Sequence, residues 1–246
     1  MAKTLILIPS RMAATRLPGK PLLKINNLSI VSHVFKRAEE ANIGEVVVAT
    51  EDQEILEDVL KNGGKAVLTS KDHKTGTDRI FEAFQTLNIK NIDYILNLQG
   101  DEPNIDKNDI INLNDLMINN DSEVGTLAAI IKDDKMFNNK NVVKVITESK
   151  LEKNNFPEAL NFTRENSPIH NKNIYHHIGI YSYKVSTLKK FVRLDQTDRE
   201  KKDKLEQLRA LDNKLKINVA LAKSSPIGVD TEQDYLAIKK IMEYKI

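Results

Sequence analysis

The chain contains no cysteine. That excludes disulfides, a thiol nucleophile and any thiolate metal site, so a metal would have to be held by oxygen or histidine. It also agrees with a reducing compartment. No apolar run approaches the roughly 18 residues that a membrane helix needs, and residues 1–10 lack the charged start, long apolar middle and small-residue cleavage site of a secretion signal. The expectation is a cytoplasmic protein with no membrane partner. An excess of one charge is missing as well: 37 basic and 35 acidic residues are interspersed, for a net charge of +2. Nucleic-acid binding favours a broad basic surface, and this balance gives none. What remains is ordinary globular composition, 40% hydrophobic and 29% charged. A length of 246 residues suits one domain over 1–246, or one with a sizeable insertion.

Strand-like segments recur at Leu5 to Ile8, Glu45 to Thr50, Ala66 to Thr69 and Tyr94 to Leu98. Helix-period segments lie between most of them, with Ile30, Val34, Ala38 and Ala41 on one face, then Ile55, Leu56, Val59 and Leu60, then Ile80, Phe81, Phe84 and Leu87. This alternation predicts an α/β fold with a doubly wound, mostly parallel sheet. Further on, Val124 to Ile131, Val142 to Thr147, Ala159 to Arg164 and His177 to Tyr183 read as strands without long intervening helices. They predict a mixed extension, a smaller subdomain at roughly 130–200. A helix around Leu205 to Leu211, a strand at Ile217 to Ala222 and a helix from Glu232 close the chain, and the polar segment Asn166 to Asn173 is the best candidate for a mobile loop.

The first strand runs into a loop with three cations, Arg11, Arg16 and Lys20. Ligands of open α/β sheets bind beyond the carboxyl ends of the strands, so this is a candidate phosphate site. Neither GxxxxGK[ST] nor GxGxxG is present, which leaves the cations, helped by the backbone N–H groups of Met12 and Ala13, to form the cradle. A solvated basic loop is the plain alternative. An acidic turn, Gly100-Asp101-Glu102-Pro103, follows the strand at Tyr94, where a carboxylate is well placed to hold Mg2+. Asp230 stands before Thr231, a candidate helix cap, and is a metal ligand only if it meets Asp101. In the segment His73 to Arg79, Gly76 permits close approach of a planar base, and Thr77 either caps a helix or offers its hydroxyl to a ligand.

Taken together, IPSRMAATRLPGKPL, HVFKRAEEA, VVVATED, DHKTGTDRI, LNLQGDEP, HHIGIYSYKVSTLKKF, LEQLRAL and GVDTEQDY resemble the CMP-Kdo synthetases, the 3-deoxy-manno-octulosonate (Kdo) cytidylyltransferases. The motifs occur in the family's order and span nearly the whole chain. The resemblance implies a nucleotidyltransferase-type α/β domain, a smaller subdomain contributing to the sugar site and to a homodimer, and the reaction CTP + Kdo → CMP-Kdo + diphosphate for lipopolysaccharide. It implies that Ser10, Arg11, Met12, Ala13, Arg16 and Lys20 hold the triphosphate, with Lys20 near the α-phosphate, and that Gly76, Thr77 and Arg79 recognise cytosine and ribose. Asp101 and Asp230 match the Mg2+ ligands.

The resemblance also places Gln99, Arg164, His177, Tyr181, Glu206 and Gln207 around Kdo. Arg164 and a cationic or hydrogen-bonding His177 suit its carboxylate, and the others suit its hydroxyls. Core packing is the alternative for Tyr181, and pairing with Arg209 the alternative for Glu206. Departures from the family pattern cluster here, at Glu165, Asn166 and Ser167, in the short stretch Pro168 to His176 and at Leu211 to Lys214. They leave the acid open between Kdo and a relative such as 8-amino-Kdo. A non-catalytic nucleotide-binding regulator is the reading from a different class, and retention of Lys20, Asp101 and Asp230 argues against it.

Overall fold

Leu5, Ile6, Leu7 and Ile8 have no exposed surface in the computed structural model, which describes residues 2–13, 16–165, 173–223 and 225–244. They form most of β1 (Thr4–Ser10), and an apolar run without alternation folds this way because both faces of a parallel sheet are covered. Each such side chain contributes about 1.5–3 kcal/mol by leaving water.

The chain divides into two compact units, Met1–Ile110 with Pro226–Ile246, and Ile111–Ser225. In the first, β1 is followed by a two-residue hairpin, β2 (Lys24–Ile25) and β3 (Leu28–Ser29), turned by Asn26 and Asn27 at positive φ. Two such residues are what a tight hairpin requires. Then come α1 (Ile30–Ala41), β4 (Gly44–Thr50), α2 (Gln53–Lys61), β5 (Ala66–Leu68), α3 (Gly76–Leu87) and β6 (Tyr94–Asn97). The strands of this unit lie in the order β6-β1-β4-β5, all parallel, with Leu7 beside Asn97 and Ser10 beside Thr50. Helices α1 and α3 end on Asn42 and Asn88 in the left-handed region, which stops them without a glycine.

Helix α4 (Lys107–Asn119) comes next. The second unit continues with β7 (Val124–Ala129), α5 (Asp134–Asn138), β8 (Lys144–Thr147), β9 (Ala159–Thr163), β10 (Ile174–Lys184), α6 (Val185–Phe191), α7 (Asp198–Asp203), α8 (Gln207–Asp212) and β11 (Ile217–Leu221). Its sheet is mixed: β10 runs antiparallel to β7 and β8, β8 antiparallel to β9, and β11 parallel to β7. The register of β10 against β7 shifts between Ile178 and Tyr181, a bulge that re-aims the side chains around it. Residues 111–225 thus include the stretch expected at roughly 130–200 and reach beyond it on both sides.

The chain closes with α9 (Glu232–Glu243), whose Ile238 packs with Ile25, Ile30 and Val229 in the first unit. Among the described residues no helix is long and apolar enough to cross a membrane. The expected mobile segment Asn166 to Asn173 falls, except for its last residue, outside the described residues.

Candidate active site

The carboxyl ends of β1 and β6 and the start of α3 enclose a cavity of about 370 Å³ in the first unit. Tight backbone approach builds its wall: a Cβ at Gly100 would meet the Pro9 carbonyl oxygen at 2.9 Å, and one at Gly76 would meet the Pro9 ring at 3.2 Å. Gly76 therefore seats the helix against Pro9.

The three loop cations Arg11, Arg16 and Lys20 all line this cavity. Lys20 Nζ donates to Asp101 Oδ2 at 2.8 Å and reaches Asp230 Oδ1 at 3.4 Å, while Arg16 pairs with Asp230 at 2.9 Å. Asp101 and Asp230, 129 positions apart in sequence, thus converge on one cationic point. A hydrogen bond from the Val229 N–H to the Asp101 carbonyl, 2.9 Å, joins the two turns. Two carboxylates that share one ammonium are a hard-oxygen donor set, and they fit Mg2+, which binds by one or two carboxylates plus substrate phosphates. Thr231 caps α9 in a capping box with Asp234, so capping and ligation are carried by different residues.

Glu102, next to Asp101, differs from it. Its Oε2 is enclosed without a hydrogen-bond partner among the described residues, and burial, with the Asp101 charge beside it, pushes its carboxyl up to about 8. Of the two, Asp101 lines the cavity.

Ser10, Ala13, Gly76, Arg79 and Gln99 line the same cavity. Two expected members do not. The Met12 N–H donates to Asp52 Oδ2 at 2.7 Å, so a carboxylate in the chain already takes the group expected to complete the phosphate cradle. Thr77 is 2% exposed within α3, and the helix cap is Thr75, whose hydroxyl accepts from the Asp78 N–H. His73 lines the cavity and contacts Glu82.

The residues expected around a sugar acid, apart from Gln99, lie in the second unit. His177 on β10 is 8% exposed, its Nε2 3.0 Å from the Tyr181 hydroxyl and 3.1 Å from that of Thr126. Burial, reinforced by His176 and Arg164, lowers its pKa to about 3. That shift favours the neutral, hydrogen-bonding form of His177 over the cationic one. Tyr181 stacks on Tyr183, and burial, with Tyr183 and Glu206 nearby, holds its hydroxyl protonated. Arg164 Nη1 donates to the Asn141 carbonyl at 3.2 Å. Glu206 lies 3.7 Å from Arg209, but the main partner of Arg209 is the buried Glu200, gripped through two bonds of 2.6 and 2.8 Å. Gln207 opens α8 and is 8% exposed.

Sequence reading missed three side chains. Lys144 is 1% exposed and donates to the carbonyls of Asn139 and Arg164, at 2.9 and 3.3 Å. In the strand pattern it passes for one solvated lysine among apolar residues. Glu51 and Asp52, at the carboxyl end of β4, hold Arg79 and the Met12 N–H. Their position after a buried parallel strand was the available signal.

A family model described as Cytidylyltransferase matches residues 5–217. The chain is 43% identical over 242 residues to the 3-deoxy-manno-octulosonate cytidylyltransferase of Rhodopseudomonas palustris strain BisB5, with 98% of each chain covered. To that of Afipia carboxidovorans it is 45% identical over 240 residues, covering 97% of this chain and 96% of the other. Among solved structures it is similar to a CMP:2-keto-3-deoxy-manno-octonic acid synthetase complexed with CTP, with a TM-score of 0.90, 33% identity and full coverage of both chains. A cytidylyltransferase from Leptospira borgpetersenii, 22% identical with a TM-score of 0.65, shares the fold. The chain belongs to the 3-deoxy-manno-octulosonate cytidylyltransferase family, whose nucleotidyltransferase-type mixed α/β fold, with its mostly parallel central sheet, it adopts.

Proposed function

We propose that this enzyme transfers CMP from CTP to the anomeric hydroxyl of Kdo, releasing diphosphate. The hydroxyl oxygen forms a bond to the α-phosphorus, the bond from that phosphorus to the bridging oxygen of the β-phosphate breaks, and the hydroxyl proton passes to solvent. The observation that carries this reading is the meeting of Lys20, Asp101 and Asp230 at the end of β1. Such a transfer asks the protein mainly to position the reactants and to neutralise charge.

Arg11, Arg16 and Lys20 bind the triphosphate, Lys20 nearest the α-phosphate, where its compact ammonium offsets the charge that develops on the transferring group. Asp101 and Asp230 would hold Mg2+, which when bound screens the phosphates and lowers the pKa of the sugar hydroxyl. Gly76 and Arg79 face the nucleoside. Gln99, Arg164, His177, Tyr181, Glu206 and Gln207 bind the sugar acid: Arg164 pairs with its carboxylate, and the neutral His177 and the Tyr181 hydroxyl supply hydrogen bonds. The enzyme works as a cytoplasmic homodimer: the absence of cysteine agrees with the compartment, and the family resemblance supports the dimer.

The test is diphosphate release by the purified protein with Mg2+ and CTP, with Kdo and 8-amino-Kdo as parallel acceptors and UTP as the nucleotide control. Release with CTP and Kdo is expected. Release with 8-amino-Kdo alone would move the substrate to the altered residues around Glu165, and CTP binding without release under any acceptor would favour a regulator. Sedimentation of the same preparation as a monomer would overturn the dimer.

A further inference from the structure

Among the cations lining the cavity, Arg79 is set apart by its surroundings. Arg16 and its partner Asp230 keep 60% and 50% of their side chains exposed, whereas Arg79 and Glu51 keep 3% and 13%. The guanidinium is fixed on two sides. One Nη donates to the Thr69 hydroxyl at 2.7 Å and to the Ser70 carbonyl at 3.4 Å, and the other donates to Glu51. Three of its five N–H groups are thereby used. The pair is anchored by the sheet: Glu51 follows β4 directly, Thr69 follows β5, and the Thr69 N–H donates to the Thr50 carbonyl at 2.8 Å, so both partners sit on neighbouring parallel strands.

An arginine neutralised by an adjacent buried carboxylate is poorly suited to gripping phosphate, because its charge is already matched. It is well suited to donating hydrogen bonds to a neutral acceptor from a fixed position. Cytosine offers such acceptors at O2 and N3. Uracil carries a hydrogen at N3, so a donor locked opposite that atom faces a donor, and a buried donor left unpaired is costly. We propose that Glu51 is the positioning residue for base discrimination: with the Thr69 hydroxyl it locks Arg79 as a rigid donor for cytosine and so excludes uracil. The proposal rests on the cytidylyltransferase reading above and adds to it the group that makes the base contact selective. A mobile arginine would adapt to either pyrimidine.

The experiment compares the unsubstituted protein with Glu51→Gln, Thr69→Val and the double variant Glu51→Gln, Arg79→Met. Thr69→Val leaves the buried pair intact and keeps the test valid if the single Glu51 variant folds poorly, while the double variant leaves no unpaired charge in the interior and reports the base contact of Arg79 itself. CTP and UTP binding is measured by calorimetry, and kcat and KM are measured by diphosphate release with Kdo. Glu51→Gln is expected to raise the Kd and KM for CTP roughly tenfold or more, the scale of one charge-assisted hydrogen bond. It should narrow the CTP-to-UTP preference by a similar factor while kcat and the KM for Kdo stay within about threefold. Thr69→Val should shift the preference in the same direction by less, and the double variant, which removes the donor itself, should bind CTP more weakly than Glu51→Gln. An unchanged CTP-to-UTP preference in the Glu51 variants, or equal losses for CTP and Kdo, would overturn the role of Glu51 alone. Failure of the unsubstituted protein to bind CTP would overturn it together with the cytidylyltransferase reading.

Discussion

The cavity at the end of β1 in the first unit and the buried histidines of β10 in the second treat charge in opposite ways. In the first, the cavity at the end of β1 keeps its groups charged by pairing them beside solvent: Lys20 with Asp101 and Asp230, and Arg16 with Asp230. In the second, the group expected to meet the sugar acid is buried and stripped of charge, with His177 lowered to about 3 and His176 to about 4, chiefly by burial. The difference follows the task proposed for each. A triphosphate brings negative charge that exposed cations offset without a large desolvation cost, whereas the hydroxyls of a sugar are read by neutral donors and acceptors held in place by packing.

Removing Asp101 breaks the first side of this contrast most directly. Asp101→Asn should cut CTP turnover with Kdo by about 10²- to 10³-fold, because the cavity loses one of the two carboxylates that meet at Lys20. Its melting temperature should stay close to that of the parent, and near-normal turnover would remove Asp101 from the mechanism. In the second unit, Glu200→Gln takes from the Arg209 guanidinium, 4% exposed, its main carboxylate and leaves Glu206 at 3.7 Å. Urea unfolding should show a loss of about 2–3 kcal/mol, less than for a fully uncompensated buried charge, and a loss below about 1 kcal/mol would place this pair with the solvated ones.

The next test separates the substrates. Arg164→Ala should raise the KM for Kdo about ten- to a hundredfold, the worth of charged hydrogen bonds, and leave the KM for CTP nearly unchanged. Equal rises for both would sink the carboxylate assignment. The smallest effect per step is that of pH. His177 is held neutral in the folded chain but has an ordinary pKa near 6.5 when unfolded, so protons favour the unfolded state. Its contribution is fully present above about 6.5 and is lost as pH falls toward about 3, at no more than about 1.4 kcal/mol per pH unit. Stability measured from pH 7 to pH 4 should fall with this slope added, and His177→Gln should flatten it; an unchanged slope would mean that His177 is not neutral in the fold.

Much of the architecture was legible along the chain. The runs at Leu5, Val46 and Ile95 are apolar on both faces, which only a covered parallel strand explains, and each became a strand of the first unit. Helix α4 was not foreseen, because Asn and Asp recur through it and blur its apolar stripe. The β2–β3 hairpin was missed too, although Asn26-Asn27 is a turn signal, since strands of two residues show no alternation. In the cavity the residue types and their place after strands were readable, while the local partners of Met12 and Thr77 were not. Which N–H is free and which threonine caps a helix depends on a neighbour's exact position, Asp52 in one case and Thr75 in the other.

The amino-acid sequence by itself determined the parallel α/β core, the cationic loop after β1 and the acidic turn after β6, because periodicity, turn chemistry and residue type act over a few neighbouring positions. Only the tertiary structure decided that Lys20 would bridge carboxylates 81 and 210 positions away, that Glu51 would neutralise Arg79, and that His177 would be uncharged. Pairing and burial depend on what distant segments bring to one place, and no local pattern carries that information.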